Sequence, residues 1–255
     1  MEETPVSRPE SSDRVEITLI IAVGVIVIVC ICCLLGIAGY ALYKDLPSTI
    51  FPDKSAVEAK AETPTPGMTG EKFSDSFNSN RNDWTEGFFE DEYGTIDYKI
   101  DGVYTWDVVA KQGVNQKSWA TSAPLVDDFL ASADMLHISG AENASYGLLF
   151  RVVDTDNLYY FSISDVGYYY VGLLENGVWT TLIDWTETTF INVKSSNTLK
   201  VTGTGDEFVF FINSAEVERL QDSTHPSGTA GLAIELYDSG DVSTFEFDNF
   251  IIETP

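Results

Sequence analysis

From Ile17 to Leu42 the chain carries no charged residue. A helix over that run, at about 1.5 Å per residue, reaches about 39 Å and exceeds the roughly 30 Å of bilayer hydrocarbon. The run predicts a transmembrane helix at residues 17–43, closed by Tyr40 and Tyr43 at the interface with Lys44 just beyond. A cleaved signal peptide has a shorter apolar core, about 7 to 15 residues, behind a basic head. Here the head, residues 1–16, holds the acids Glu2, Glu3, Glu10, Asp13 and Glu16, so a retained signal-anchor is expected. Arg8 and Arg14 on one side balance Lys44 and Lys54 on the other, and charge does not orient the helix. A short head and a large C-terminal body place the N-terminus inside and the body outside, as a single-pass protein of the cell membrane. All three cysteines, Cys30, Cys32 and Cys33, lie in the apolar run, as palmitoylation sites or plain lipid-facing residues. The rest of the chain therefore has no internal disulfide.

Residues 44–71 contain Thr63-Pro64-Thr65-Pro66-Gly67 and few large apolar residues, the composition of an extended linker. Residues 72–255 remain for one folded domain, long enough to bury a core unaided by staples. From Lys72 onward there are 9 Lys and Arg against 30 Asp and Glu, a net −21 of the chain's −26. Phosphate recognition needs clustered cations, so nucleic acid is excluded as a partner.

No window after Phe73 keeps a helical period for three turns. Short alternating segments broken by Gly, Asn and Asp recur instead. Strands are expected at residues 93–100, 103–109, 133–139, 146–153, 158–164, 168–174, 178–185, 198–202, 207–213, 229–237 and 242–252. Asn176-Gly177 supplies the positive φ pair of a tight hairpin between two of them. About a dozen short strands imply an all-β fold, two stacked antiparallel sheets of jelly-roll type. Phe208, Phe210 and Ile212, with Leu232, Ile234 and Leu236, are expected as inward rows.

Three segments resemble the concanavalin A-like lectin and glucanase superfamily, in its laminin-G-like non-catalytic branch. They are Phe73-Ser74-Asp75-Ser76-Phe77 with Asn82-Asp83-Trp84, Gly147-Leu148-Leu149-Phe150-Arg151 with Asp156-Asn157-Leu158-Tyr159-Tyr160-Phe161, and Phe247-Asp248-Asn249-Phe250. The resemblance spans nearly all of residues 73–252 and implies a sandwich that binds glycan or a cell-surface protein. Sugar-binding relatives stack aromatic rings on pyranose faces, which makes Trp179, Trp185, Tyr168, Tyr170, Trp106 and Trp119, with Arg151, the candidate ligand-binding residues. Trp179 and Trp185 are expected on one strand face with Thr181 and Ile183. Core packing is the competing reading for every ring. Many relatives hold a structural calcium ion, for which Asp75 with Asp248, then Asp154 and Asp156, are the candidate ligands; turn capping competes there.

Glycosidase relatives need two Glu and one Asp at alternate positions of one strand. Glu246-Phe247-Asp248 supplies only part of that, since Phe250 stands where the third carboxylate belongs. The domain has two histidines, His137 and His225, and no cysteine. It is expected to be no enzyme. The alternative function is an accessory subunit whose sandwich contacts another membrane or cell-surface protein. Asn143-Ala144-Ser145 also matches the N-glycosylation acceptor pattern, relevant only in a eukaryotic secretory route.

Overall fold

Alternation of apolar and polar residues through most of the domain gives each strand one face to bury, and burial follows that alternation. The computed structural model describes residues 70–255. The expected transmembrane helix at 17–43, its cysteines and most of the linker lie outside the described residues. Among those described, no helix is long and apolar enough to cross a membrane.

Fifteen strands form: β1 (Lys72–Asp75), β2 (Gly87–Glu90), β3 (Gly94–Ile100), β4 (Tyr104–Ala110), β5 (Val114–Ser118), β6 (Phe129–Ser139), β7 (Ser145–Asp154), β8 (Asn157–Ser164), β9 (Tyr168–Glu175), β10 (Val178–Glu187), β11 (Asn197–Thr204), β12 (Glu207–Ile212), β13 (Ala215–Gln221), β14 (Thr229–Leu236) and β15 (Val242–Glu253). The larger sheet has nine strands in the order β13-β12-β11-β6-β15-β4-β3-β2, with β1 added to β15. The smaller has six, in the order β10-β9-β8-β7-β14-β5. Neighbours pair antiparallel throughout, as in β15 with β4, β6 and β1.

The eleven expected strands all form, within a few residues at their ends, while β1, β2, β5 and β13 were not anticipated. The hairpin between β9 and β10 turns through Asn176 and Gly177 at φ of 52° and 75°, both positive as the Asn-Gly pair requires. Phe208, Phe210 and Ile212 from β12 meet Leu232, Ile234 and Leu236 from β14 in one core, so the two expected rows come from opposite sheets. Tyr146, Leu148 and Phe150 of β7, Tyr159, Phe161 and Ile163 of β8, and Tyr169, Val171 and Leu173 of β9 join them. The residues between these on β7, β8 and β9 must therefore face away from the core.

One residue holds the two sheets together at a polar point. Arg151 sits in β7 at a positive φ of 48°, beside a register shift in its pairing with β8. Its guanidinium donates to the carbonyls of His225 at 3.0 Å, of Pro226, and of Gly205 at 2.9 Å. It also lies over the rings of Phe129 and Phe208 at 5.5 and 5.4 Å. Gly205 belongs to the β11–β12 turn of the larger sheet, so the side chain ties across the sandwich.

Candidate aromatic site on the smaller sheet

The outward positions of the six-stranded sheet are unusually apolar. Leu149 and Val152 of β7, Leu158 and Tyr160 of β8, Leu174 of β9 and Ala233 of β14 form a second buried cluster, separate from the main core, against which Trp119 packs. Tyr160 also meets Trp179, ring centres 6.3 Å apart. Gly147, Gly172 and Gly231 share this face and leave it without side chains at its middle. A Cβ on Gly147 would lie 2.0 Å from the Phe161 carbonyl, and one on Gly172 would lie 2.7 Å from the Tyr170 ring. Tyr170 therefore lies down over its own strand, and Trp185 stacks on it at 5.2 Å with planes 30° apart.

At one end of this face Trp185, Tyr168 and Tyr237 converge with Asn143, Ser164 and Val166 around a depression of about 440 Å³. That volume is within the range of small-ligand sites, roughly 300–1,000 Å³. The walls are mostly aromatic rings, with the carboxamide of Asn143 and the hydroxyl of Ser164 beside them. Tyr237 is held from behind: its hydroxyl lies 3.0 Å from both Glu235 Oε2 and Ser145 Oγ. Glu235 also accepts from Ser145 at 3.2 Å and from Asn115 at 2.7 Å. Burial, then the nearby Glu235 charge, pushes the Tyr237 hydroxyl well above its usual pKa, so it stays protonated at all physiological pH. Desolvation lowers the pKa of Lys117, with Asp156 and Glu235 opposing that.

Such a surface offers flat apolar rings to a ring of carbon and hydrogen, and a few fixed donors and acceptors to hydroxyls around it. Trp179 and Trp185 are 39% and 38% exposed, and Tyr168 and Tyr170 half-buried, so four candidate rings reach solvent on one face. Their strand differs from expectation, because register shifts on each side of Ile183 turn that residue inward, where it packs on the core. Tyr169, between Tyr168 and Tyr170, is buried. Sequence reading missed Tyr237, Asn143 and Ser164. Only the outward phase of Ser164 on β8 was available from alternation.

Trp119, half-buried, packs against the same face, and the remaining candidates are elsewhere. Trp106 is fully buried, packed against Tyr98, Tyr104 and Phe247, and contacts no ligand from there. It shares its strand face with Tyr104 and Val108, and all three are buried in the core. Arg151 is 2% exposed and occupied by backbone carbonyls, so it holds the fold rather than a ligand. Asp75 is buried and accepts from the backbone N–H of Phe77 at 2.8 Å, the Asn82 amide at 2.7 Å and the Trp84 indole at 3.0 Å. Asp248 accepts from the Asn249 N–H at 2.7 Å. Asp154 accepts from Asp156 N–H at 2.8 Å and from Asn157 at 2.9 Å, and those bonds hold its carboxyl below the usual range. These carboxylates cap turns, and among the described residues no group of three or more His, Cys, Asp or Glu is placed to hold a metal ion.

Glu246 and Asp248 alternate on β15 with Phe245 and Phe247, which are buried in the core. The pair consequently points out of the nine-stranded sheet, on the opposite side of the sandwich from the aromatic site. The residues Asp134, Glu246 and Asp248 line a shallow hollow there.

No protein-family model and no curated protein matches the chain. Solved structures do. A β-glucanase from Bacillus licheniformis superposes with a TM-score of 0.51 at 11% identity, covering 73% of this chain and 99% of that one. An endo-β-galactosidase from Clostridium perfringens that releases GlcNAcα1-4Gal gives 0.51 at 11% identity, over 72% of this chain and 62% of that one. The carbohydrate-binding module CBM66 from Bacillus subtilis gives 0.47 at 22% identity, over 69% and 98%. With two antiparallel sheets around a shared core and the two superpositions at a TM-score of 0.51, the domain has the two-sheet sandwich fold that this β-glucanase and this endo-β-galactosidase share.

Proposed function

We propose that the chain is a membrane-anchored, non-catalytic glycan-binding module, of the laminin-G-like kind, whose sandwich takes an uncharged saccharide on the outer face of its six-stranded sheet. The observation that carries this is the depression walled by Trp185, Tyr168 and Tyr237, with Asn143 and Ser164 at hydrogen-bonding positions. Aromatic rings beside a few oriented polar groups suit a pyranose, whose faces are apolar and whose rim is hydroxylated. The acidic balance of the domain disfavours sulfated, sialylated or uronate-rich chains. Glu235, in the polar network behind this site, is satisfied by three donors, and Asp238 accepts from Asn143.

The anchor part of the reading rests on the uncharged run at residues 17–42, and the sandwich is taken to lie outside the cell from the short head and the large C-terminal body. The direct test is a glycan array and polysaccharide retention with the full-length, detergent-solubilised chain, beside a Trp185→Ala variant. Retention lost in the variant supports the site; equal retention refutes it. Alkaline extraction of membranes and protease accessibility on intact cells test the anchor and its orientation.

A second reading has its own observation. Phe88, Phe89 and Tyr93 are 63%, 49% and 47% exposed beside the β2 edge of the larger sheet. An accessory subunit would use such a patch against a cell-surface protein. A stoichiometric partner in native purification, lost on Phe88→Ser with glycan retention unchanged, would favour it.

A further inference from the structure

The turn between β8 and β9 has two sides. On one, Ser164, Val166 and Tyr168 wall the Trp185 depression; on the other, Asp165 lines a second depression of about 260 Å³ with His137, Gly140, Glu142 and Lys194. The loop between β6 and β7 is shared in the same way, since Glu142 lines the second depression and Asn143, its neighbour, lines the first.

At the base of the second depression His137 Nδ1 is 3.0 Å from Asp165 Oδ2, and the Tyr146 hydroxyl donates to Asp165 Oδ1 at 2.8 Å. Burial works to raise the Asp165 pKa, but the bonds from His137 and Tyr146 outweigh it and hold the carboxyl below its usual range. With Asp165 ionised, Nδ1 of the imidazole carries the proton. The far nitrogen, Nε2, is buried and has no hydrogen-bond partner. Against the imidazole lie Asp165 from the β8–β9 turn, Tyr146 from β7 and the uncharged Phe245 of β15, stacked at 4.7 Å, while Glu142 from the β6–β7 loop and Lys194 from the segment ahead of β11 line the same depression. Among the described residues Glu142 is engaged only by Lys194, 3.1 Å away, and both are well exposed, a pairing that is weak by nature.

We propose that His137 is a proton sensor for the aromatic site: protonation of its buried Nε2 rearranges the loop and the turn that both depressions share, so the wall beside Trp185 follows pH. The added proton comes from solvent and remains on Nε2. It creates a buried donor that must find an acceptor. Glu142 is the carboxylate lining the same depression without a buried partner, and it leaves Lys194 to accept. Asn143 moves with it. Histidine is the side chain whose charge ordinarily changes between about pH 5 and 8, where carboxylates and lysines are silent. The consequence for ligand rests on the proposed glycan site, but the coupling belongs to the unliganded chain and is measured without sugar.

The test uses the full-length chain in detergent, labelled with 5-fluorotryptophan, whose five tryptophans are all in the sandwich. The Trp185 resonance is assigned with Trp185→Phe and followed by ¹⁹F NMR from about pH 8 to pH 5. A shift with one midpoint is expected in the parent chain, its loss in His137→Gln, and a displaced midpoint in Asp165→Asn. A Trp185 signal that stays fixed, or moves equally in His137→Gln, overturns the proposal. Should His137→Gln not fold, the exposed Glu142→Gln replaces it: a reduced shift supports the coupling and an unchanged one overturns it. A chain that titrates in this way yet retains no glycan refutes the binding reading alone.

Discussion

Tyr170 and Trp185 come from adjacent strands and stack with ring centres 5.2 Å apart, although register shifts separate the paired parts of β10 around them. A stacked pair contributes about 0.5–1.5 kcal/mol beyond its buried area, so each ring holds the other in place before any ligand arrives. Trp185→Ala is therefore expected to weaken binding to a retained glycan at least about tenfold, equivalent to about 1.4 kcal/mol. Because Trp185 is partly exposed, the urea midpoint should fall only slightly. Titration calorimetry beside urea unfolding separates the two effects, and an unchanged affinity would remove Trp185 from the site.

Arg151 is expected to behave oppositely. Replacing it with Ala leaves the carbonyls of His225, Pro226 and Gly205 without their donor and opens a gap beside Phe129 and Phe208. Loss of hydrogen bonds from a charged donor costs about 1.5–3 kcal/mol each way of counting, so a drop near 3 kcal/mol in unfolding free energy is expected. Denaturant unfolding of Arg151→Ala measures it.

Two glycines separate close approach from backbone freedom. Gly147→Ala would drive a methyl group into the Phe161 carbonyl at 2.0 Å, and is expected to prevent β7 and β8 from pairing. Gly102 has a φ of +78° with open space around it, so Gly102→Ala is expected to cost only about 1 kcal/mol. Circular dichroism and melting of the two variants give the contrast.

Acid should destabilise the domain through particular carboxylates. Asp165, Asp222 and Asp107 all have pKa values lowered in the fold: burial opposes this in each, and hydrogen bonds from His137, Tyr159 and Lys99 prevail. A carboxyl lowered on folding stabilises above its unfolded value of about 3.9, and that stability is lost as pH falls through the folded value. Asp222→Asn should accordingly be less stable than the parent at pH 7, and the gap should close as pH falls below about 4. Chelation, by contrast, should leave the melting temperature unmoved, since Asp75 and Asp154 are engaged with protein donors.

Alternation made the sandwich legible, since strands such as β8 and β12 carry an apolar side chain at every inward position. It failed where that contrast is absent. β13, Ala215–Gln221, is an edge strand of mostly polar residues, and β5, Val114–Ser118, has Asn115, Gln116 and Lys117 at its centre. Candidate aromatic residues were readable as types but not as places. Trp106 and Trp185 are the same side chain, and only pairing distinguishes a strand between two others from one at an edge with bulges. Asn143 and Tyr237 enter the site through the loop after β6 and the end of β14, 94 positions apart in sequence, which no local pattern joins.

β15 is the last of the described strands in sequence yet lies inside the larger sheet, between β6 and β4, and gives β1 its partner. A ribosome must thus pass residue 253 before that sheet has its middle. Until then β4 has only β3 beside it and β6 only β11, and the edge of each that β15 will cover is open to proteases and to pairing with other copies. Closure of the larger sheet is in effect deferred until β15 has emerged, and a premature stop before Val242 should yield a product that is degraded or aggregated rather than a smaller domain.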